Sequence, residues 1–402
     1  MTTDSMISGF VKPQFEPVKE VFIENFEQRN ELGAACCIYY QGEKVVDLWG
    51  GIRNEATGEP WEEDTMVLVW STTKGLSALA MALAHSQGLF EYDEPVSRYW
   101  PEFAQNGKDR ITVRQLMAHQ AGLYAFDELG DREIIADLDR LAVVLAKQKP
   151  AYEPGTRHTY HALTLGFYQS ELLRRVDPKG RSLGQYFQSE IATPLGIDFY
   201  IGLPEDIPNS RLAPLREIKF SFSAMRSTSI GMILAAMNPR SALRRALVGT
   251  EFCLDDDRIF TRNFEVPSGG GVGTARAIAR AYSVFATGGK ELGIREETLQ
   301  QLMAPAVPPK HGFKDGAFKI NTSYSLGFAK GLPESPFGSP SSFGMPGTGG
   351  SFGYADPEVG IGYGYVLNGL GTSFPHDPRD IALRTTLYEA IGRSDLLVGK
   401  KE

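Results

Sequence analysis

Ser71 and Lys74 stand three residues apart in the stretch "VWSTTKG" (69–75). If a helix begins at Ser71, both side chains lie on one face. A serine hydroxyl is a weak nucleophile and needs a base beside it. A lysine becomes that base when burial lowers its pKa. The helix start adds free N–H groups that can hold an oxyanion, and a positive end that disfavours the ammonium form. The competing reading is a helix-capping serine, a favoured residue at that place. Ser-x-x-Lys has only two fixed positions, so these residues alone leave both readings open. The pair occurs once in the chain and opens an apolar helix.

The elements that must position this pair follow from the hydrophobic pattern. Residues 72–87 repeat Leu76, Leu79, Ala80 and Leu83 at helical spacing, and Gly88 suits the stop. Phe15, Val18, Phe22 and Phe26 place an amphipathic helix over 15–31. "AACCIYY" (34–40) and "KVVDLWG" (44–50) flank "QGE" as a hairpin, and "GGIRNEATGEPW" reads as loop. From about 89 to 265 helical patterns dominate and strand signals are sparse. Beyond 268 a Gly-rich loop opens a helix over 274–287. Strand-like runs follow at 324–332 and 360–369, and a last helix falls near 378–392. Both chain ends thus supply strands. The expected division is an α/β core from 1–88 and 266–402, with a mostly helical insertion from 89–265.

Bulk properties narrow the function. The chain has 402 residues, 42% of them hydrophobic and 22% charged, which is ordinary globular composition. A net charge of -8 and the lack of a basic stripe argue against nucleic acid as a partner. Cys36 and Cys37 are adjacent and Cys253 is the third, so neither a disulfide framework nor a CxxC zinc site is expected. The N-terminal stretch lacks an apolar signal core, and no run reaches membrane-span length. A cytoplasmic protein without membrane association is the expectation. The six histidines have no HExxH spacing, and "GGGVGT" lacks the full dinucleotide pattern, so no metal or cofactor is expected. His119 reads as holding a helix end near the core. "GGSFG" (349–353) matches a nucleophile-elbow pattern at Ser351, but strand-like sequence follows it, and His376 is the one histidine downstream.

Five stretches then occur in order: "STTKG", "LMAHQAGL" (116–123), "YEPGTRHTYHALTLGFYQSELL" (152–173), "GGGVGTARAIARAYSVFATGG" (269–289) and "FGMPGTGGSFGYADPEVGIGYGYVLN" (343–368). Together they resemble the serine β-lactamase and penicillin-binding-protein superfamily, in the class C-like branch that holds family VIII carboxylesterases. The resemblance covers about residues 15 to 392. It implies an α+β fold of the β-lactamase/transpeptidase type, an antiparallel sheet flanked by helices with a mostly helical domain.

By that resemblance Ser71 is the acylated nucleophile, Lys74 its proton partner, and Tyr160 a phenol that shares the base role and protonates the leaving group. Either Lys74 or Tyr160 can take the first proton. A lysine cation nearby should lower the phenol's pKa. The oxyanion hole is implied to be the N–H groups of Ser71 and Thr348. Trp70, His161, Met345 and Gly347 are the expected substrate contacts. His161 is either at the site or a solvated histidine at a helix start. Met345 is either a selectivity residue or simple packing. Met345 replaces the lactamase lysine, Ala162 replaces the asparagine of Tyr-x-Asn, and Pro346 suits an edge strand. Both replacements point away from anionic β-lactams. The implied activity is a serine carboxylesterase acting on small uncharged esters. An acyltransferase or an amide or β-lactam hydrolase on the same acyl-enzyme is the alternative, ahead of a non-catalytic binding protein.

Overall fold

A computed structural model describes residues 3–127, 132–216, 230–254, 262–373 and 377–399. Strand β1 (Ile7–Val11) leads into helix α1 (Glu16–Gln28), then β2 (Gly33–Tyr40) and β3 (Glu43–Asn54). The turn between β2 and β3 puts Gln41 (φ 51°) and Gly42 (φ 83°) both in the left-handed region. That geometry matches the twist of a two-residue hairpin. Strand β3 is longer than the sequence predicts. It runs through "GGIRN" to Asn54, and Glu59–Pro60 pairs back onto it. The glycines that suggest a loop are there for close approach: a Cβ on Gly50 would lie 2.4 Å from the Met6 carbonyl.

Strand β4 (Val67–Leu68) precedes α2 (Thr72–Ser86), in which every residue is buried. The predicted apolar stripe is therefore only part of the pattern: alanines, Gly75 and Ser77 pack the remaining faces. The middle of the chain supplies α3 (Val113–Met117), α4 (Leu138–Lys147), α5 (Thr164–Val176), α6 (Leu183–Phe187), a short strand β5 (Phe199–Ile201), α7 (Ile230–Met237) and α8 (Ala242–Ala246). Helices α3 and α6 begin with capping boxes at Thr112/Gln115 and Ser182/Gln185. The last part carries β6 (Gly271–Gly273), α9 (Ala275–Ala286), α10 (Glu296–Met303), β7 (Tyr324–Ser325), β8 (Phe328–Ala329), β9 (Phe343–Pro346), β10 (Phe352–Asp356), β11 (Ile361–Leu367) and α11 (Pro378–Ala390).

The main sheet is antiparallel, in the order β1-β3-β2-β11-β10-β9-β8-β7. N- and C-terminal strands meet where β2 pairs with β11. Alternation along β11 explains both of its faces. Gly362 and Gly364 face α9, where a Cβ would lie 2.4 Å from Ser283 N and 2.3 Å from Ala275 O. Tyr363 and Tyr365 face the other way, into a core with Phe22, Leu383 and Leu387 of α1 and α11. The same alternation sends Cys36 and Cys37 into opposite cores. A small second sheet, β4-β6-β5, carries the approach to Ser71. Among the described residues no helix is long and apolar enough to cross a membrane.

Candidate active site

The second sheet builds the turn that presents Ser71. Val69 N–H bonds to the Gly271 carbonyl at 3.0 Å, continuing the β4–β6 pairing by one residue. Trp70 then takes φ 48°, the left-handed region that a bulky residue rarely enters. Thr73 fastens the turn: its hydroxyl donates to the Trp70 carbonyl at 2.5 Å and accepts the Gly271 N–H at 2.9 Å. Ser71 has helical torsions (φ -63°, ψ -13°) and makes no side-chain cap. The capping reading is thereby removed, because Ser71 Oγ is turned toward Lys74 and Tyr160 instead.

Lys74 is fully buried on α2. Its Nζ lies 3.2 Å from Ser71 Oγ, 2.6 Å from the Ala162 carbonyl and 2.7 Å from the Ser268 carbonyl. Burial pulls its pKa down from the ordinary 10.5 to about 7. A neutral amine has two N–H groups and one lone pair. The two carbonyls can take the N–H groups, which leaves the lone pair toward Ser71.

Tyr160 donates its O–H to Ser71 Oγ at 2.8 Å, and its ring lies 4.8 Å from the Lys74 ammonium position. Its pKa is raised, chiefly by burial, with the Ser71 hydrogen bond pulling the other way. The expected lowering by Lys74 does not set the direction, which follows from desolvation of the phenolate.

Asp315 holds Tyr160 in place, and the sequence reading missed it. This buried carboxylate accepts the Tyr160 N–H at 3.0 Å through Oδ2. It accepts the Ala317 and Phe318 N–H groups at 2.6 and 2.9 Å through Oδ1. Burial raises its pKa to about 6. "Asp-Gly" at 315–316 reads locally as a turn, and nothing local tells where the second oxygen points.

His161 is fully buried and does not line the cleft, which corrects both sequence readings of it. Its Nδ1 donates to the Thr159 carbonyl at 2.7 Å, and its Nε2 accepts the Leu123 N–H at 3.1 Å. His119, at φ 60° just past α3, accepts the His161 N–H on Nδ1 at 2.9 Å. Both imidazoles are held neutral by burial. Together they tie the 119–123 turn to the Tyr160 segment.

Strand β9 brings up the opposite wall. It is not an edge strand throughout, since Gly344 pairs with Ala329 of β8. Pro346 lies beyond that pairing, opposite Phe352 of β10, so its missing N–H removes no bond from the β8 side. Met345 is buried with Tyr160 and Tyr324 and lines a side cavity, not the cleft that Ser71 lines. Trp70, Gly347 and Thr348 do line the cleft. Gly347 passes so close to the turn before Ser71 that a Cβ would lie 2.3 Å from the Val69 carbonyl. Among the described residues neither the Ser71 nor the Thr348 N–H has an internal partner. Ser351 is structural: its Oγ donates to the Val69 carbonyl at 2.9 Å and pairs with Thr72 Oγ1 at 3.1 Å. Strand β10 follows it where an elbow needs a helix. His376 lies outside the described residues.

The cleft has a volume of about 630 Å³. Its described lining contains no lysine or arginine that could receive a substrate carboxylate.

The family model described as Beta-lactamase matches residues 18–386. The "Esterase/beta-lactamase LipL" of Mycobacterium tuberculosis (strain ATCC 25618 / H37Rv) is 31% identical over 385 residues, covering 90% of this chain and 83% of its own length. The crystal structure of a family VIII carboxylesterase superposes with a TM-score of 0.83 at 33% identity, covering 96% of this chain and 99% of that one. A penicillin-binding-protein homologue from Caulobacter crescentus gives a TM-score of 0.82 at 33% identity, with the same coverage.

Proposed function

Because the chain belongs to the beta-lactamase family and is a serine hydrolase on that fold, we propose that it is a carboxylesterase that hydrolyses small uncharged esters through a Ser71 acyl-enzyme. One observation carries the reading: Lys74 Nζ and Tyr160 Oη both reach Ser71 Oγ, at 3.2 and 2.8 Å. Ser71 Oγ attacks the ester carbonyl, and neutral Lys74 takes its proton. The low pKa of Lys74 and the raised one of Tyr160 favour lysine as first acceptor. The N–H groups of Ser71 and Thr348 face the oxyanion. As the C–O bond breaks, Tyr160 gives its proton to the leaving alkoxide and is reprotonated from Lys74. Water then attacks the acyl carbonyl, with the same groups working in reverse.

The lack of a cation in the described lining supports uncharged substrates. It also leaves β-lactam turnover weak, because a β-lactam's carboxylate would be desolvated without a partner. The test is turnover of short-chain p-nitrophenyl esters by wild type and Ser71→Ala. The expected result is loss of turnover in the variant; unchanged turnover rejects Ser71 as nucleophile. Nitrocefin hydrolysis as efficient as ester hydrolysis would contradict the uncharged-substrate part.

A further inference from the structure

Helix α7 is apolar from end to end, "IGMILAAM". A helix with no polar face belongs in a core. This one lies at the surface, with Leu234 62% and Met237 76% exposed. Leu247 and Val248, just past the end of the neighbouring α8, are also exposed. Such a patch on a monomer marks a place where something apolar binds. The cleft says what that is. Met232, Ile233, Ala236 and Met237 of α7, with Leu243 and Leu247, form one wall of the cavity that Ser71 lines. The two carboxylates in that lining are already paired, Asp377 with Arg379 and Asp380 with Arg384, each at 2.8 Å.

A second cavity, of about 290 Å³, shares Tyr160, Phe318, Pro346 and Phe352 with the first but does not reach Ser71. It is less than half the size of the first, and its lining mixes apolar Leu332, Phe337 and Met345 with Asn321, Ser323, Lys330 and Glu334. The chemistry divides the ester between the two. The acyl group stays bonded to Ser71 Oγ until water releases it. The alcohol departs with the proton that Tyr160 supplies.

Resting on the esterase reading above, we infer that the α7–α8 wall receives a linear saturated acyl chain of medium length, about six to ten carbons. The alcohol portion lies toward the second cavity. Each added CH2 then leaves water on binding, and kcat/KM rises by about threefold per carbon. Buried area of this kind shows mainly as a falling KM.

The experiment measures kcat/KM for p-nitrophenyl acetate, butyrate, hexanoate and octanoate, each below its micellar concentration. The leaving group is constant along this series. A mirror series uses acetate esters of linear alcohols of increasing length. The expected result is a rise of roughly several hundredfold from acetate to octanoate, six carbons apart, and no comparable rise in the alcohol series. Ala236→Trp, which fills the arm from an exposed helix position, should cut the octanoate-to-acetate ratio at least tenfold. A flat acyl series with Ser71-dependent acetate turnover intact overturns the acyl-chain assignment and leaves the esterase reading standing. A rise along the alcohol series instead also overturns it. Turnover that survives Ser71→Ala overturns the esterase reading itself. The wild-type series decides the matter even if Ala236→Trp does not fold.

Discussion

Lys74 and Lys108 are both fully buried, and among the described residues neither has a carboxylate partner. Both are pulled below the ordinary ammonium pKa by burial, Lys74 to about 7 and Lys108 to about 8. The difference lies in what they touch. Lys108 donates to three carbonyls, those of Gln105, Ala146 and Gln148 at 2.8, 2.8 and 2.6 Å, and so uses every N–H. It ties α4 to the preceding loop. Lys74 has two carbonyls, and its third direction ends on a hydroxyl. A depressed pKa therefore does not make a lysine a base. It becomes one when a direction is left for an O–H to be deprotonated.

The sharpest way to break this comparison is to remove each lysine in turn. Lys74→Met should lower kcat/KM for a short ester by about 10³-fold or more, in the upper range for loss of a general base. Lys108→Met should stay within about threefold and show its effect in the denaturation midpoint instead. Equal losses of activity would mean that the contact with Ser71 carries no special role. Tyr160→Phe comes next, with a fall of about 10²- to 10³-fold. That fall should be smaller for p-nitrophenolate, a good leaving group, than for an alkyl alkoxide that needs Tyr160's proton.

Asp315→Asn should act more mildly, because it acts through Tyr160 and never touches the substrate. Asparagine offers one acceptor oxygen where the carboxylate has two for three N–H groups. A fall in kcat of about tenfold is expected, with KM for acetate esters little changed and a stability loss of about 1–3 kcal/mol. A change confined to KM would refute the positioning role.

The pH dependence sharpens the Lys74 side. Wild-type kcat/KM should rise through an apparent pKa near 7 as Lys74 loses its proton, and this value belongs to the coupled Ser71–Lys74–Tyr160 set. A profile flat from pH 6 to 8.5 would exclude Lys74 as the titrating base. Stability carries the same sign. The folded-state pKa of Lys74 lies below its unfolded value, so between about 7 and 10.5 the unfolded chain binds more protons. Stability attributable to Lys74 therefore rises with pH across that window, by up to about 1.4 kcal/mol per unit. Lys74→Met lacks this slope, so its stability advantage over wild type should shrink from pH 7 to pH 9 in urea denaturation. An advantage that stays constant would mean that Lys74 already carries its proton in the folded protein across this range.

What was legible in the sequence obeys local rules. The hairpin at Gln41-Gly42, the buried period of α2 and its stop at Gly88 depend on a few neighbouring residues. So does the meeting of Ser71 and Lys74, since residues three apart at a helix start share a face. Tyr160 was reachable only through the ordered set of motifs, because its partner lies 89 residues away. The errors have one source. His161 turns inward, and "GGIRN" is strand. In each case the residue type permits both states, and distant packing chooses between them.

The sequence by itself determined the Ser71–Lys74 pairing at a helix start, the order of the motifs and the sheet built from both chain ends. Only the tertiary structure decided that Lys74 keeps one direction for a hydroxyl while Lys108 spends every N–H on carbonyls. Desolvation is the sum of everything packed around a group, and for Lys74 that includes carbonyls at positions 162 and 268. The same holds for Asp315 beneath Tyr160 and for the apolar wall of α7 and α8 over the cleft. Spacing along the chain can bring two groups together, but the dielectric in which they meet is set by residues from everywhere else.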